Sequence, residues 1–116
     1  MIFVLATRDG VLTAYPSALD AEGRFDGLEV EDRVWLFFAD DGSPLIARFL
    51  RPNRRGAFRV SGAFRLEPAL SGKWLQERLE DVKALAGPGA TTVEELAEIL
   101  KVNRSKRPPP GPLPRS

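Results

Sequence analysis

The chain contains no cysteine and no histidine, and only one methionine, in 116 residues. Without cysteine it has no disulfide, no thiolate metal ligand and no thiol nucleophile. Without histidine it lacks Ser-His-Asp chemistry, imidazole ligands and the side chain best suited to proton transfer near neutral pH. Asn53, Asn103, Gln76 and Met1 are the only residues of the thermolabile kinds, a scarcity that heat-adapted proteins share. No apolar run approaches the ~20 residues needed to cross a bilayer, so no membrane partner is expected. The apolar start, Met1 to Ala6, lacks the basic region and the length of a secretory leader, and a cytoplasmic location is the expectation.

What the chain does have is charge, arranged in blocks. Thirteen arginines and four lysines meet sixteen acids, for a net charge of +1. Residues 1–50 hold four basic and nine acidic side chains, whereas residues 51–74 hold six basic and one acidic. Residues 75–103 are acidic again, with three basic and six acidic groups, and the last thirteen residues carry four basic groups and no acid. Such segregation produces either an asymmetric surface or two regions that neutralise each other. The length fits one domain, since two cores in a chain this short would each be marginal.

The hydrophobic pattern predicts strands first and helices after. Ile2 to Thr7 and Val11 to Tyr15 are apolar runs separated by Arg8-Asp9-Gly10, a hairpin signal because glycine accepts positive φ. Residues 16–27 read as a polar loop with room for one helical turn. Leu28 to Phe38 alternates and then becomes apolar on both faces, as a strand covered on each side requires. Asp40-Asp41-Gly42-Ser43 is a turn into the next strand, Leu45 to Leu50. Gly56-Ala57-Phe58-Arg59-Val60 is echoed by Gly62-Ala63-Phe64-Arg65-Leu66. The even offset puts Phe58, Val60, Phe64 and Leu66 on one face and Arg59, Ser61 and Arg65 on the other, in one strand or two short ones. Gly62 then marks a bulge or a close backbone approach.

Leu70, Trp74, Leu75, Leu79, Val82 and Ala86 recur at helical spacing and predict a helix over about 70–86. Gly87-Pro88-Gly89 closes it. Thr92-Val93-Glu94-Glu95 is a capping box that opens a second helix over about 93–102. Residues 104–116 (RSKRPPPGPLPRS) have five prolines and read as a solvated tail. The expected fold class is α+β: a single domain over 1–103, with an N-terminal antiparallel sheet or small barrel of about five strands over 2–67. Two helices follow, packed on one face or across one end.

For chemistry, the acids come first. Asp40-Asp41 and Asp9-Gly10 sit in turns, where aspartate accepts from nearby amides. Asp26, Glu29, Glu31 and Asp32 are the residues a carboxylate-only, metal-dependent hydrolase would use, but a solvated acidic strand face is the better explanation of them. Asp81-Val82-Lys83 matches half of a nuclease motif, but on a helix the two charges point in different directions. No phosphate-cradling glycine loop is present. The expectation is therefore a non-catalytic module with no cofactor and no metal.

The strongest positive signal is the run from Arg48 to Arg59, continued by Arg65. Arg48, Arg51, Arg54, Arg55, Arg59 and Arg65 supply always-charged, bidentate donors suited to phosphate oxygens. Interleaved Phe49, Phe58 and Phe64 alternate with the charges as the core side of half-buried strands does. The expected partner is nucleic acid, met by these arginines with help from Arg104, Lys106 and Arg107. The alternative is a homo-oligomer or another protein interaction in which the basic 48–65 stretch docks on the acidic 20–41 stretch of a second copy.

Thr92 to Ser105 (TVEELAEILKVNRS) resembles the first helix and turn of an excisionase-type helix-turn-helix. Pro108-Pro109-Pro110 stands where the recognition helix would follow and forbids it, so the resemblance carries no DNA-reading residue onto this chain. Lys106, Pro109 and Pro112 also fit a Lys-x-x-Pro-x-x-Pro ligand pattern for SH3-type grooves.

Overall fold

The computed structural model describes residues 1–55, 59–60, 62–86 and 92–106. Strands β1 (Ile2–Ala6) and β2 (Val11–Tyr15) form the expected hairpin. Asp9 Oδ1 accepts from the Val11 amide at 3.1 Å, and Gly10, at φ +73°, donates to the Ala6 carbonyl at 2.9 Å. No other residue type fits position 10 easily: beyond its positive φ, a Cβ there would press on the Asp81 carbonyl and the Lys83 side chain.

The acidic segment departs from expectation. Residues 16–31 hold two five-residue helices, α1 (Ala18–Glu22) and α2 (Gly27–Glu31), and the predicted strand over 28–38 survives only as β3 (Trp35–Phe38). The reason lies at the helix ends. Ser17 caps α1 by accepting from Asp20 N, and Asp26 caps α2 by accepting from Leu28 N at 2.8 Å. At the other end of α2, Arg33 takes the left-handed conformation, φ +58°. Its amide reaches Val30 O while the Val34 amide reaches Glu29 O, the paired bonds of a Schellman ending. Capped on both sides, Leu28-Glu29-Val30-Glu31 coils despite its strand-like alternation, and Leu28 and Val30 are buried. Glu29, Glu31 and Asp32 therefore lie on and beside a helix, not on a strand face.

Strands β4 (Pro44–Phe49), β5 (Arg54–Arg55), β6 (Arg59–Val60) and β7 (Phe64–Pro68) follow. The tandem echo is two short strands. Phe64 is buried, Arg65 is exposed and Leu66 is half-buried, as the parity required. The side chains of Phe58, Val60 and Ser61 lie outside the described residues. Gly62 does mark a close approach, because a side chain there would overlap the Arg51 carbonyl.

The predicted helix over 70–86 is corrected as well. In its place stand a 3₁₀ helix, Leu75–Asp81, and a short strand, β8 (Ala84–Ala86). Leu70 is wholly exposed and Gly72 takes φ +124°, so the first turn of the expected helix does not form. At the far end the chain is drawn onto the sheet. The amide of Lys83 donates to Gly10 O at 2.8 Å, and β8 then runs parallel to β2, pairing Val11 with Ala84 and Leu12 with Leu85. Sheet pairing outweighs the helical period here. Leu75, Leu79 and Val82 nevertheless face the core that the period assigned them.

The last helix, α3 (Val93–Lys106), starts as its capping box dictates, with Thr92 Oγ1 accepting from Glu95 N at 3.1 Å. It runs past Asn103 to Lys106. Asn103 Nδ2 donates to Asp40 O at 2.8 Å, and the Arg104 guanidinium lies 4.7 Å above the Trp74 ring; both contacts hold the last turn. The tail from 107 lies outside the described residues.

The six-stranded sheet has the order β7-β4-β3-β1-β2-β8, antiparallel except for β2 and β8. The fold class is α+β, but the helices cover both faces rather than one. β1 shows this directly, since all five of its residues are buried. Phe3 and Leu5 face a core with Leu75, Val82, Leu96 and Leu100 from the 3₁₀ helix and α3. Ile2 and Val4 face a second core with Ala21 of α1, Val30 of α2, Phe37 and Phe64. No helix of the described residues is long and apolar enough to cross a membrane.

Candidate functional site

β4 and β7 pair over five positions, and the register sets Arg48 directly opposite Arg65 and Ile46 opposite Glu67. Leu45, Ala47, Phe49, Phe64 and Leu66 point the other way, into the core beneath α1 and α2. The core under α3 and the 3₁₀ helix includes no residue of β4 or β7. Among the described residues those two strands therefore present an uncovered face, with Ile46 56% and the Arg48 side chain 70% exposed. Two like charges directly across a ladder repel. A carboxylate serves only one of them: Glu67 Oε2 accepts from Arg48 Nη1 at 3.4 Å, a long and exposed contact.

The six sequence-predicted arginines do not form one surface. Arg48 and Arg65 share the uncovered sheet face. Arg51, just past β4, and Arg54, on β5, are exposed. Neither they nor Arg65 have an ion-pair partner among the described residues. Arg55 is turned the opposite way and is neutralised within the chain. Its guanidinium donates to Glu31 Oε1 at 2.9 Å and to Asp32 Oδ1 at 2.7 Å, and it reaches Leu28 O at 3.4 Å. Hydrogen bonds to Glu31 and then Asp32 hold the Arg55 pKa above its ordinary value. A raised cation pKa contributes stability that is lost only as pH climbs through it, so this contact is constant across the neutral range. Arg59 pairs with Arg55 through the backbone, and its side chain lies outside the described residues, as does Arg107. Arg104 is engaged with Trp74, and Lys106 is exposed at the end of α3.

Phe49 and Phe64 belong to the core, their rings 5.8 Å apart, and so offer no platform for stacking bases. The acids also have structural work. Asp26 caps α2, Glu31 and Asp32 hold Arg55, and the buried Asp41 accepts from Ser43 N and Oγ at 2.9 and 2.7 Å. Among the described residues, no group of three or more carboxylates gathers to hold a metal ion.

Several residues that sequence reasoning passed over are placed at sites. Asn53 bonds Gly27 O, Glu31 Oε2 and the Gly62 amide, locking the β4–β5 loop onto α2. Arg33, Lys73 and Arg78 line a cleft of about 390 Å³ beside β3 and β4. Arg78 also lines a second cleft of about 380 Å³ near the β1–β2 turn. No local motif distinguishes these residues; they are brought together by sheet pairing. In comparison with known proteins, the chain matches no family model, no curated protein and no solved structure.

Proposed function

We propose that the chain is a non-catalytic binding module whose contact surface is the uncovered face of β4 and β7, and whose partner is the phosphate backbone of nucleic acid. The observation that carries this reading is the cross-strand pair Arg48–Arg65, two arginines set at opposite positions of one ladder, of which only Arg48 has a carboxylate partner among the described residues, the long and exposed contact to Glu67. An arrangement that repels itself becomes favourable when an anion sits over it. Arg51 and Arg54 extend the positive surface; Arg55 does not, because Glu31 and Asp32 occupy it. With no aromatic ring among the described residues of this face, the contact is electrostatic and indifferent to sequence.

Four arginines meeting duplex phosphates give a slope of about −3.6 in log K against log salt. Fluorescence anisotropy of a labelled random-sequence duplex, titrated at several salt concentrations, measures it. No binding at low salt overturns the reading.

One observation favours a protein partner instead. Ile46 and Leu50, 56% and 57% exposed, flank Arg48 along the same strand direction, and phosphates make no use of them. In that second reading the chain self-associates through this face. Light scattering decides it: a particle that stays monomeric at all concentrations removes self-association.

A further inference from the structure

β3 and β4 are neighbours in the sheet, yet their ladder stops after Phe37–Leu45 and Phe38–Pro44. In continued register Trp35 would meet Ala47, and it does not. Trp35 is paired on its other side with Ala6, and Ala47 with Leu66. The two strands part, and the space between them is the cleft of about 390 Å³, within the range of small-molecule sites.

Along this cleft the facing edges of β3 and β4 are not laddered to each other. The Leu66 amide points outward, where it donates to Glu22 Oε2 at 2.6 Å. Antiparallel alternation then turns the N–H and C=O of its partner, Ala47, away from β7 and toward β3. Trp35, Leu36 and Phe37 form one wall, and Ile46, Ala47 and Phe49 the other. Trp35, Leu36, Ala47 and Phe49 are only half-buried, unlike the residues of β1, although they belong to strands at the centre of the sheet.

Charge at the cleft is one-sided. Arg33, Lys73 and Arg78 line it, and its one carboxylate, Glu31, is already bound to Arg55. Arg78 is the one of these cations with a buried donor left unpartnered among the described residues. Its Nε is buried without a hydrogen-bond partner, and its Nη1 lies 4.0 Å from Asp81 Oδ2, too far for a strong bond. A buried donor without an acceptor is costly, and a guanidinium edge matches a planar pair of oxygens.

We propose that the β3–β4 cleft, which is lined from both faces of the sheet, binds a small amphiphilic anion that reaches through the gap between the strands, its apolar body between Trp35 and Phe49 on the α1–α2 side and its carboxylate on Arg78 on the 3₁₀-helix side. This site uses none of Arg48, Arg51, Arg54 or Arg65, so it stands or falls apart from the phosphate-backbone reading.

Decanoate, decyl phosphate and decanol, titrated separately into the ¹⁵N-labelled full chain, test it. Decanoate is expected to bind saturably at one per chain, shifting the amides of Trp35 and Ala47 and the Arg78 Nε–H resonance. Decanol, with the same chain and no charge, is expected to bind at least tenfold more weakly. Arg78→Gln should weaken decanoate at least tenfold and leave decanol unchanged. Ala47→Phe fills the cleft without touching Arg78 and should abolish the decanoate shifts; it keeps the test open if Arg78→Gln fails to fold. Equal binding of decanoate and decanol overturns the proposal, as do shifts confined to β7. Tighter binding of decyl phosphate than of decanoate overturns the assignment of a carboxylate head.

Discussion

Arg65→Glu separates stability from binding, because the two should move in opposite directions. In the native chain Arg65 stands directly across from Arg48. Like charges at such a position destabilise, and opposite charges stabilise, each by about 0.2–1 kcal/mol. The substitution exchanges one for the other. The Arg48 side chain is 70% exposed, so solvent screening holds the gain to the lower part of the combined range, about 0.5–1 kcal/mol. For a domain of this size that raises the thermal midpoint by about 2–4 °C. The rise should vanish at about 1 M salt, where the Debye length is ~3 Å. Binding responds with the other sign. One cation is lost and one anion added to the contact face, so the salt slope should fall from about −3.6 to about −2. Calorimetric melts at low and high salt, with anisotropy titrations on the same samples, measure both. A variant that melts lower than the parent, or binds duplex with an unchanged slope, refutes the argument that this pair is held apart for an anion.

Other substitutions probe the frame that carries the site. Gly10→Ala puts a side chain at φ +73° against the Asp81 carbonyl and should cost about 2 kcal/mol, read as a lower urea midpoint at unchanged m. Arg33→Gly relieves a left-handed arginine at the end of α2 and should stabilise by about 1 kcal/mol; a lower midpoint would show that the Arg33 side chain holds the turn. Leu100→Ala empties a fully buried position beneath α3 and should cost about 2–5 kcal/mol by chemical denaturation. A smaller loss would mean that α3 contributes little to the core.

Local chemistry was legible in the sequence wherever a single residue decides the backbone. Asp9-Gly10 announced the first hairpin, Asp41 its own turn, Thr92 the start of α3, and Gly62 a close approach. Periodicity failed where a cap or a distant strand outweighed it. Leu28-Glu29-Val30-Glu31 alternates like a strand, but Asp26 and Arg33 close a helix around it. Residues 75–86 carry the right inward-facing side chains for a helix, but the edge of β2 takes Ala84–Ala86 as a strand. The site was half legible. Its arginines were visible as residue types, while their fates depended on contacts far along the chain. Arg55 is claimed by carboxylates more than twenty positions away, and Arg48 stands opposite Arg65 only through the register of β4 on β7. The cleft was invisible in the sequence, since it exists where a ladder stops.

The carboxylate of Glu22 on the Leu66 amide bears on how the protein behaves in company. β7 is an outermost strand of the sheet, and an open outermost strand is where a second molecule adds itself and fibrils begin. Here α1 lies along that border and a side chain fills a hydrogen-bonding place that an invading chain would need. Substituting Glu22 with an apolar residue would thus be felt first not as lost activity but as a shorter shelf life in concentrated solution.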